Sequence, residues 1–514
     1  MIYSERRSLP AWKRIILYLF SFLFLIIQIA GFVALIYFSY ASTSGVSLIY
    51  LGIELIGLIL CITIVKRNIN ANYKLTWCIL ILLFPIFFGV LYLLNLTSRH
   101  ISKKKRSIIH NAVKNFELDN VKESLKDTEK EFYNMASVVE RVTLAPVSNT
   151  TKFTFYNNIN DKDDDMFESL KCAKKRIYLE YFIISPGKLT DKLLEILTER
   201  GEAGVEIKIL YDDIGCRGHN NGKIIKKLSK IKNCEVCAYE ALGSNFNFLV
   251  NYRNHRKLAI IDSVIAYCGG DNLADEYVNL KNRFGYWRDN CAKYEGEAAY
   301  AFTIQFVEMW YASTKTVLDF QVDVNEIKKY ENVGYVMPFT DGPQYIGNAT
   351  YDLFTSLISH AKSSIYISTP YFIIDDALLN LISLKCRQGI DVKILMPHIP
   401  DKRSPFYMGR EKYGPILANG GKIYEFEKGF NHAKNIIVDN KYVFIGTANM
   451  DYRSLFLHFE CGALIMNDSE IKKMSDDFIN ATNESIELSY VEWLKRPLHQ
   501  KIIAFILNIL GPMF

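Results

Sequence analysis

The sequence lacks a cysteine framework. Its ten cysteines are scattered: Cys61 and Cys78 lie in apolar segments, and Cys172, Cys216, Cys268, Cys291, Cys386 and Cys461 follow no regular spacing. The one close pair, Cys234 and Cys237, has neither a second ligand pair at zinc-site spacing nor a redox-fold context. A disulfide-stapled scaffold is thereby excluded, and a reducing compartment fits the thiols better. Charge of one sign is also scarce, the net being only +6 over 514 residues. No short-period repeat is present, which excludes a solenoid. With half its residues hydrophobic and 13% aromatic, the chain is neither disordered nor fibrous. Its length calls for two to four structural units.

What the sequence does have is apolar runs near its start. Residues 15–38 form a run long enough to cross a bilayer, which takes about 20 helical residues. A signal peptide would have a shorter apolar region and a small-residue cleavage site, so the reading is an anchor. Residues 48–65 are a second expected span, carrying Glu54, and residues 75–96 are a third apolar segment interrupted by Pro85 and Gly89. Basic residues crowd this region: Arg6, Arg7, Lys13 and Arg14, then Arg99 and the run Lys103, Lys104, Lys105, Arg106. Such clusters either attract anionic headgroups or set topology. A third full span would put the Lys103–Arg106 run outside, against the positive-inside rule. A segment that dips in and returns at Pro85 keeps it inside. The expectation is therefore a membrane anchor over 1–100 with a re-entrant third segment, and a multi-pass protein of the cell membrane with cytoplasmic catalytic domains. A basic linker is expected over 101–150. The tail, 491–514, places Lys495, Arg496 and Lys501 before an apolar stretch too short to span, which reads as an interfacial helix.

From about residue 150 the pattern becomes alternating α/β. The same order then recurs. Phe167, Leu170, Ile177 and Tyr178 correspond to Phe354, Leu357, Ile365 and Tyr366, and GVEIKIL (204–210) to GIDVKIL (389–395). Ordered matches at drifting offsets of this size mark an ancient duplication, giving domains over 151–330 and 331–490.

The chemistry lies in two copies of one motif. The first reads NHRKLAIIDSVIAYCGGDN, with His255, Lys257, Asp262 and Asn272; the second reads NHAKNIIVDNKYVFIGTAN, with His432, Lys434, Asp439 and Asn449. Every landmark keeps the same offset, 432 − 255 = 177 residues. In a strand, residues i and i+2 share a face, so each His and Lys emerge side by side. Each half thus supplies an imidazole, an ammonium and an amide. Joined about a pseudo-twofold axis, they suit a phosphodiester, whose transition state carries charge on its non-bridging oxygens. One histidine attacks phosphorus while the other protonates the leaving alkoxide and later activates the acceptor. No acidic cluster of metal type lies beside either motif, so no metal and no cofactor are expected. Asp262 and Asp439 belong to the catalytic motif, but their opposite strand parity points to structural support.

These motifs resemble the HKD motifs of the phospholipase D superfamily, and the chain as a whole resembles its bacterial cardiolipin synthases. The likeness runs from YKLTW and LLFPIFFGVLY through ILYDDIG, NHRK, GGDNLADEY, YWRD and STPYF to GTANMDYRSLFLHFE and the basic-apolar tail. It implies duplicated phospholipase D-type domains, mixed sheets flanked by helices, forming one site behind an N-terminal α-helical membrane region. It also implies the reaction of two phosphatidylglycerols to cardiolipin and glycerol through a phosphatidyl-histidine, with hydrolysis to phosphatidic acid as the alternative. By that likeness His255 is the nucleophile and His432 the acid/base, the order being open because the motifs are nearly symmetric. Lys257, Lys434, Asn272 and Asn449 would bind phosphoryl oxygens. Glu460, and Asp289 as its counterpart, would orient the histidines. The expected partners are phosphatidylglycerol and anionic membrane lipids, with an integral membrane location. Nucleic acid is not expected, because the basic clusters sit beside the apolar spans rather than along a groove. Oligomeric state stays open.

Overall fold

The computed structural model describes residues 45–67, 69–98, 120–143, 145–217, 221–239, 252–320, 327–343, 345 and 347–513. The expected span at 15–38 and the basic clusters at 6–14 and 99–106 lie outside these residues. The chain divides into two compact units, Met1–His100 with Ala241–Asn251 and Asn508–Phe514, and Ile101–Glu240 with Tyr252–Leu507.

In the smaller unit, a helix covers Gly45–Val65, and Asn70 caps a second, Ala71–Leu83, by accepting from the N–H groups of Asn72 and Tyr73. Phe84 leaves the helical region, as a residue before proline is driven to do, and a third helix runs Pro85–Ser98. The chain folds back there. Trp77 and Tyr92 would stand ~22 Å apart on a straight helix, yet their ring centroids are 5.1 Å apart. Ile64, Ile81 and Cys61 pack around them. The opposite face of Gly45–Val65 exposes Leu51, Leu55, Ile56, Ile59 and Ile62. Among the described residues, no helix is long and apolar enough to cross a membrane.

The larger unit holds the duplication. Its first half contains β1 (Lys152–Tyr156), β2 (Arg176–Tyr181), β3 (Glu206–Asp212), β4 (Cys234–Tyr239), β5 (Lys257–Ile261), β6 (Ile265–Gly269), β7 (Tyr286–Arg288) and β8 (Cys291–Glu295). The second contains β9 (Tyr335–Asp341), β10 (Ser364–Ser368), β11 (Phe372–Ile373), β12 (Asp391–Pro397), β13 (Lys422–Phe426), β14 (Gly429–Asn431), β15 (Asn435–Val438), β16 (Tyr442–Gly446), β17 (Met450–Asp451), β18 (Glu460–Met466) and β19 (Ser485–Leu488). The first sheet has the order β1-β8-β6-β5-β2-β3-β4. The second, taken from its other end, is β9-β18-β16-β15-β10-β12-β13, with β19 added at the edge. The parallel pairs also correspond: β2/β3 and β3/β4 in one half, β10/β12 and β12/β13 in the other. The repeat read from the sequence is thus present strand for strand.

Both sheets are buried on two faces, which explains the continuous apolar runs at β5 and β15. The outer face of the first sheet packs Ile177, Leu179, Ile207 and Ile209 against Met166, Phe167, Leu193 and Leu197 of its helices. Between the halves, Tyr178, Leu258 and Ile260 share one core with Ile437, Val443 and Ile445. The helices Glu297–Thr314 and Glu470–Asn483 contribute Phe306, Trp310, Met474 and Phe478 to it. The halves are therefore one hydrophobic body.

The linker expected at 101–150 needs correction in its described part. Helix Lys130–Thr143 buries Phe132, Met135, Ala136 and Val139 in the core of the second half, beside Phe339, Leu353 and Phe354. The spacing i, i+3, i+4, i+7 is that of an amphipathic helix, so apolar periodicity outweighs the basic composition. The tail also does more than lie free. Trp493 Nε1 donates to the Arg410 carbonyl at 2.6 Å and Arg496 pairs with Glu411 at 3.0 Å. In helix Leu498–Leu510, Leu498, Ile502, Phe505 and Ile506 remain exposed.

Candidate active site

Each histidine-bearing segment enters the site by crossing to the opposite half. The His255 N–H donates to the Phe459 carbonyl at 3.0 Å, and the Phe459 N–H to the Arg253 carbonyl at 2.9 Å. On the other side the His432 N–H donates to the Arg288 carbonyl at 2.7 Å, beside the parallel pairing of β14 with β7. In both cases the accepting carbonyl belongs to the residue just before a carboxylate. The symmetry is therefore in the backbone first.

Those carboxylates meet the imidazoles. His255 Nδ1 lies 3.0 and 3.1 Å from the two oxygens of Glu460, and His432 Nδ1 lies 2.6 Å from Asp289 Oδ2. An ionised carboxylate can only accept, so Nδ1 carries the hydrogen and Nε2 keeps its lone pair. Burial pulls the His255 imidazole down to about 3 and that of His432 well below its usual value, Lys434 adding to the latter. Both rings are accordingly neutral near pH 7, the form a nucleophile or base requires. Burial works to raise Glu460, but the imidazoles of His255 and, to a lesser degree, His458 together outweigh that and hold it well below the carboxylate range. Asp289 moves the other way, pushed by burial up to about 6.

The lysines stand beside them. Lys257 Nζ and Lys434 Nζ each donate to the carbonyl of their own motif histidine at 2.5 Å. Burial brings Lys257 down to about 7 and Lys434 to about 8, with mutual repulsion adding to the effect on Lys257. The carboxylates of Glu460 and Asp289 work against burial on both lysines. Asn272 accepts from the Ile183 N–H and donates to the Tyr277 hydroxyl at 2.7 Å. Asn449 donates to Asp451 at 3.0 Å. One hydrogen of each amide is committed in this way, and one is left.

Asp262 and Asp439, named with the catalytic motif, are not brought to the histidines. Each lies beyond the far end of its motif strand, roughly 20 Å along extended chain at 3.3 Å per residue. Asp262 accepts the N–H groups of Lys174, Lys175 and Arg176 at 2.7–2.9 Å. Asp439 does the same for Lys362, Ser363 and Ser364, and also accepts from the Ser363 hydroxyl. Both aspartates have positive φ, 52° and 56°. They tie the strand's exit to the start of β2 or β10.

The roles of three positions escaped the sequence reading. A Cβ on Gly270 would sit 2.1 Å from Asp289 Oδ1, so only glycine admits that carboxylate to His432. Its equivalent at the 177-residue offset is Thr447, whose hydroxyl donates to Glu460 Oε2. Comparing those two positions was a usable signal. The third is His458, whose ring centroid is 5.4 Å from that of His255 and whose Nδ1 is 3.7 Å from Glu460 Oε1.

A duplicated α/β body that joins two His-x-Lys segments, each held by a carboxylate of the other half, has the architecture of a phospholipase D-type protein. The family described as cardiolipin synthase, PLD-like domain, matches residues 166–310 and 354–482. The chain is 32% identical to cardiolipin synthase 2 of Bacillus anthracis over 87% of its length and 88% of that protein. It is likewise 32% identical to the major cardiolipin synthase of Bacillus subtilis, over 89% of its length and 96% of the relative. Among solved structures, phosphatidylserine synthase of Haemophilus influenzae superposes with a TM-score of 0.56 at 16% identity, covering 76% of this chain and all of the other; that likeness concerns the fold. The chain belongs to the cardiolipin synthase family with phospholipase D-like domains.

Proposed function

We propose that this protein is a phosphatidyltransferase that converts two phosphatidylglycerol molecules into cardiolipin and glycerol. The observation that carries the reading is the pair of neutral, carboxylate-held imidazoles flanking two buried ammonium groups. His255 Nε2 attacks phosphorus; His432, which takes up a proton at Nε2 as the anionic phosphodiester binds, gives that proton to the departing glycerol oxygen. The result is a phosphatidyl-histidine with Glu460 balancing the imidazolium charge. His432 then takes the proton of a hydroxyl on the second phosphatidylglycerol, whose oxygen attacks phosphorus and releases His255. Lys257 and Lys434 face the phosphoryl oxygens, and the remaining amide hydrogens of Asn272 and Asn449 assist them. Glu460 and Asp289 fix the tautomers.

The lipid acceptor finds support in the family and in the apolar side chains left exposed on helices Gly45–Val65 and Leu498–Leu510. We read residues 15–38 and 48–65 as spans, 75–96 as re-entrant at Pro85, and the catalytic unit as cytoplasmic at the cell membrane. Purified enzyme and labelled phosphatidylglycerol test the reaction. Cardiolipin and glycerol in equal amounts are expected; phosphatidic acid without cardiolipin would make the protein a hydrolase instead. Thiol labelling of cysteines placed at 100–115 tests topology, and labelling from outside intact cells would overturn the cytoplasmic assignment.

A further inference from the structure

His458 has no part in the chemistry just described, yet it is only 8% exposed and neither ring nitrogen has a hydrogen-bond partner. An imidazole in that state is rare, because buried polar groups are almost always satisfied. It faces a ligand-rich place. One donor atom from each of His255, His458 and Glu460 lies within 4.8 Å of the others, and all three residues are buried. Glu460 supplies the anion, and Thr447 holds its second oxygen in place.

We propose that His255, His458 and Glu460 form an inhibitory site for a borderline transition-metal ion such as Zn2+. Two imidazoles and one carboxylate are a donor set that zinc takes readily and that magnesium does not. Tetrahedral bonds of ~2.1 Å place ligand atoms ~3.4 Å apart. His255 Nδ1 and Glu460 Oε1 are already closer than that, at 3.0 Å, and His458 Nδ1, at 3.7 Å from the same oxygen, needs only a small approach. A fourth position stays open for water.

Inhibition follows from the imidazole itself, whichever nitrogen of His255 the ion takes. Bound at Nδ1, the metal needs the lone pair there, so the ring's single hydrogen shifts to Nε2. Bound at Nε2, the metal occupies the lone pair directly. In both cases the nitrogen facing phosphorus has no pair to give. No covalent step is involved, and chelation restores the free histidine.

The inference rests on His255 being the nucleophile, and its test has a readout that does not depend on the lipid reaction. Full-length enzyme is titrated with ZnCl2 in phosphatidylglycerol vesicles, each variant's rate being taken relative to its own zinc-free rate. Zinc inhibits the wild type reversibly with EDTA, MgCl2 does not, and His458→Gln raises the half-inhibiting zinc concentration by at least about tenfold. Calorimetry then counts ions. His432→Gln, with the site intact, binds one Zn2+ per chain, whereas His458→Gln and His255→Gln do not. A wild type indifferent to zinc, or a His458→Gln protein inhibited and titrated like the wild type, overturns the proposal; an ordered water would then be the partner of His458. If His458→Gln fails to fold, the calorimetric comparison of His432→Gln with His432→Gln/His255→Gln decides.

Discussion

Replacing Glu460 by glutamine changes almost no volume and removes one charge, which makes it a sharp probe of how His255 is held. Glu460 is 1% exposed, with both oxygens at 3.0–3.1 Å from His255 Nδ1. If the carboxylate acts only through its charge, the loss is that of one charge-assisted hydrogen bond, about 1.5–3 kcal/mol. That amounts to roughly 10- to 150-fold in rate at 1.36 kcal/mol per decade. The tautomer argument demands more. A glutamine amide turns its NH2 toward Nδ1, which must then accept, so the ring hydrogen moves to Nε2 and the nucleophile is blanked. The same inversion in a serine-protease triad is worth on the order of 10^4 in kcat. Glu460→Gln is therefore expected to lose on the order of 10^3–10^4 in kcat, with KM changed little. Single-turnover mixing with labelled phosphatidylglycerol and acid quenching should show the phosphatidyl-enzyme accumulating more slowly by the same factor. A loss below tenfold in a protein that melts like the wild type would refute the tautomer argument, and one near 100-fold would reduce Glu460 to a charge.

Gly270→Ala should lose on the order of 10^2–10^4 in kcat, the usual worth of a general acid–base, because its Cβ displaces Asp289 from His432; activity within threefold of wild type would show that Asp289 does not matter. Asp439→Ala should cost about 2–3 kcal/mol, judged from hydrogen bonds to a charged acceptor, and appear as a lowered urea midpoint with kcat retained in the folded protein. A dead but stable variant would return Asp439 to the catalytic group. For pH, the two ammonium groups must stay protonated to hold phosphate, so kcat/KM should fall as pH rises through about 7 to 8, where Lys257 and Lys434 lose their protons. The limb belongs to the pair rather than to either lysine. A profile that stays level well above pH 8 would contradict it, and Lys257→Arg should shift the limb upward.

The sheet order was legible because strands advertise themselves: GVEIKIL and GIDVKIL are buried on both faces in β3 and β12, and such runs survive duplication. The motif residues were legible because strand parity ties His255 to Lys257 and His432 to Lys434. The contacts that complete the site leave a weaker trace. Phe459 pairing with Arg253, or Gly270 making room for Asp289, spans long stretches of chain with no period to betray it. The helix Lys130–Thr143 was hidden for another reason. Its apolar stripe is short, and its neighbours are basic, so composition spoke louder than spacing. The small unit gave only its break, since Pro85 forces Phe84 out of the helix wherever the segment lies.

The exchange of carboxylates between halves has a consequence in time. His255 waits for a partner 205 residues further along the chain, and His432 has its own partner 143 residues behind it. At about 5–20 residues per second, a nascent chain spends roughly 10–40 s with the first histidine made and unarmed. The ring proposed as the nucleophile therefore lacks its orienting carboxylate during synthesis. It gains that carboxylate only when the last third of the protein has been made and has closed over it.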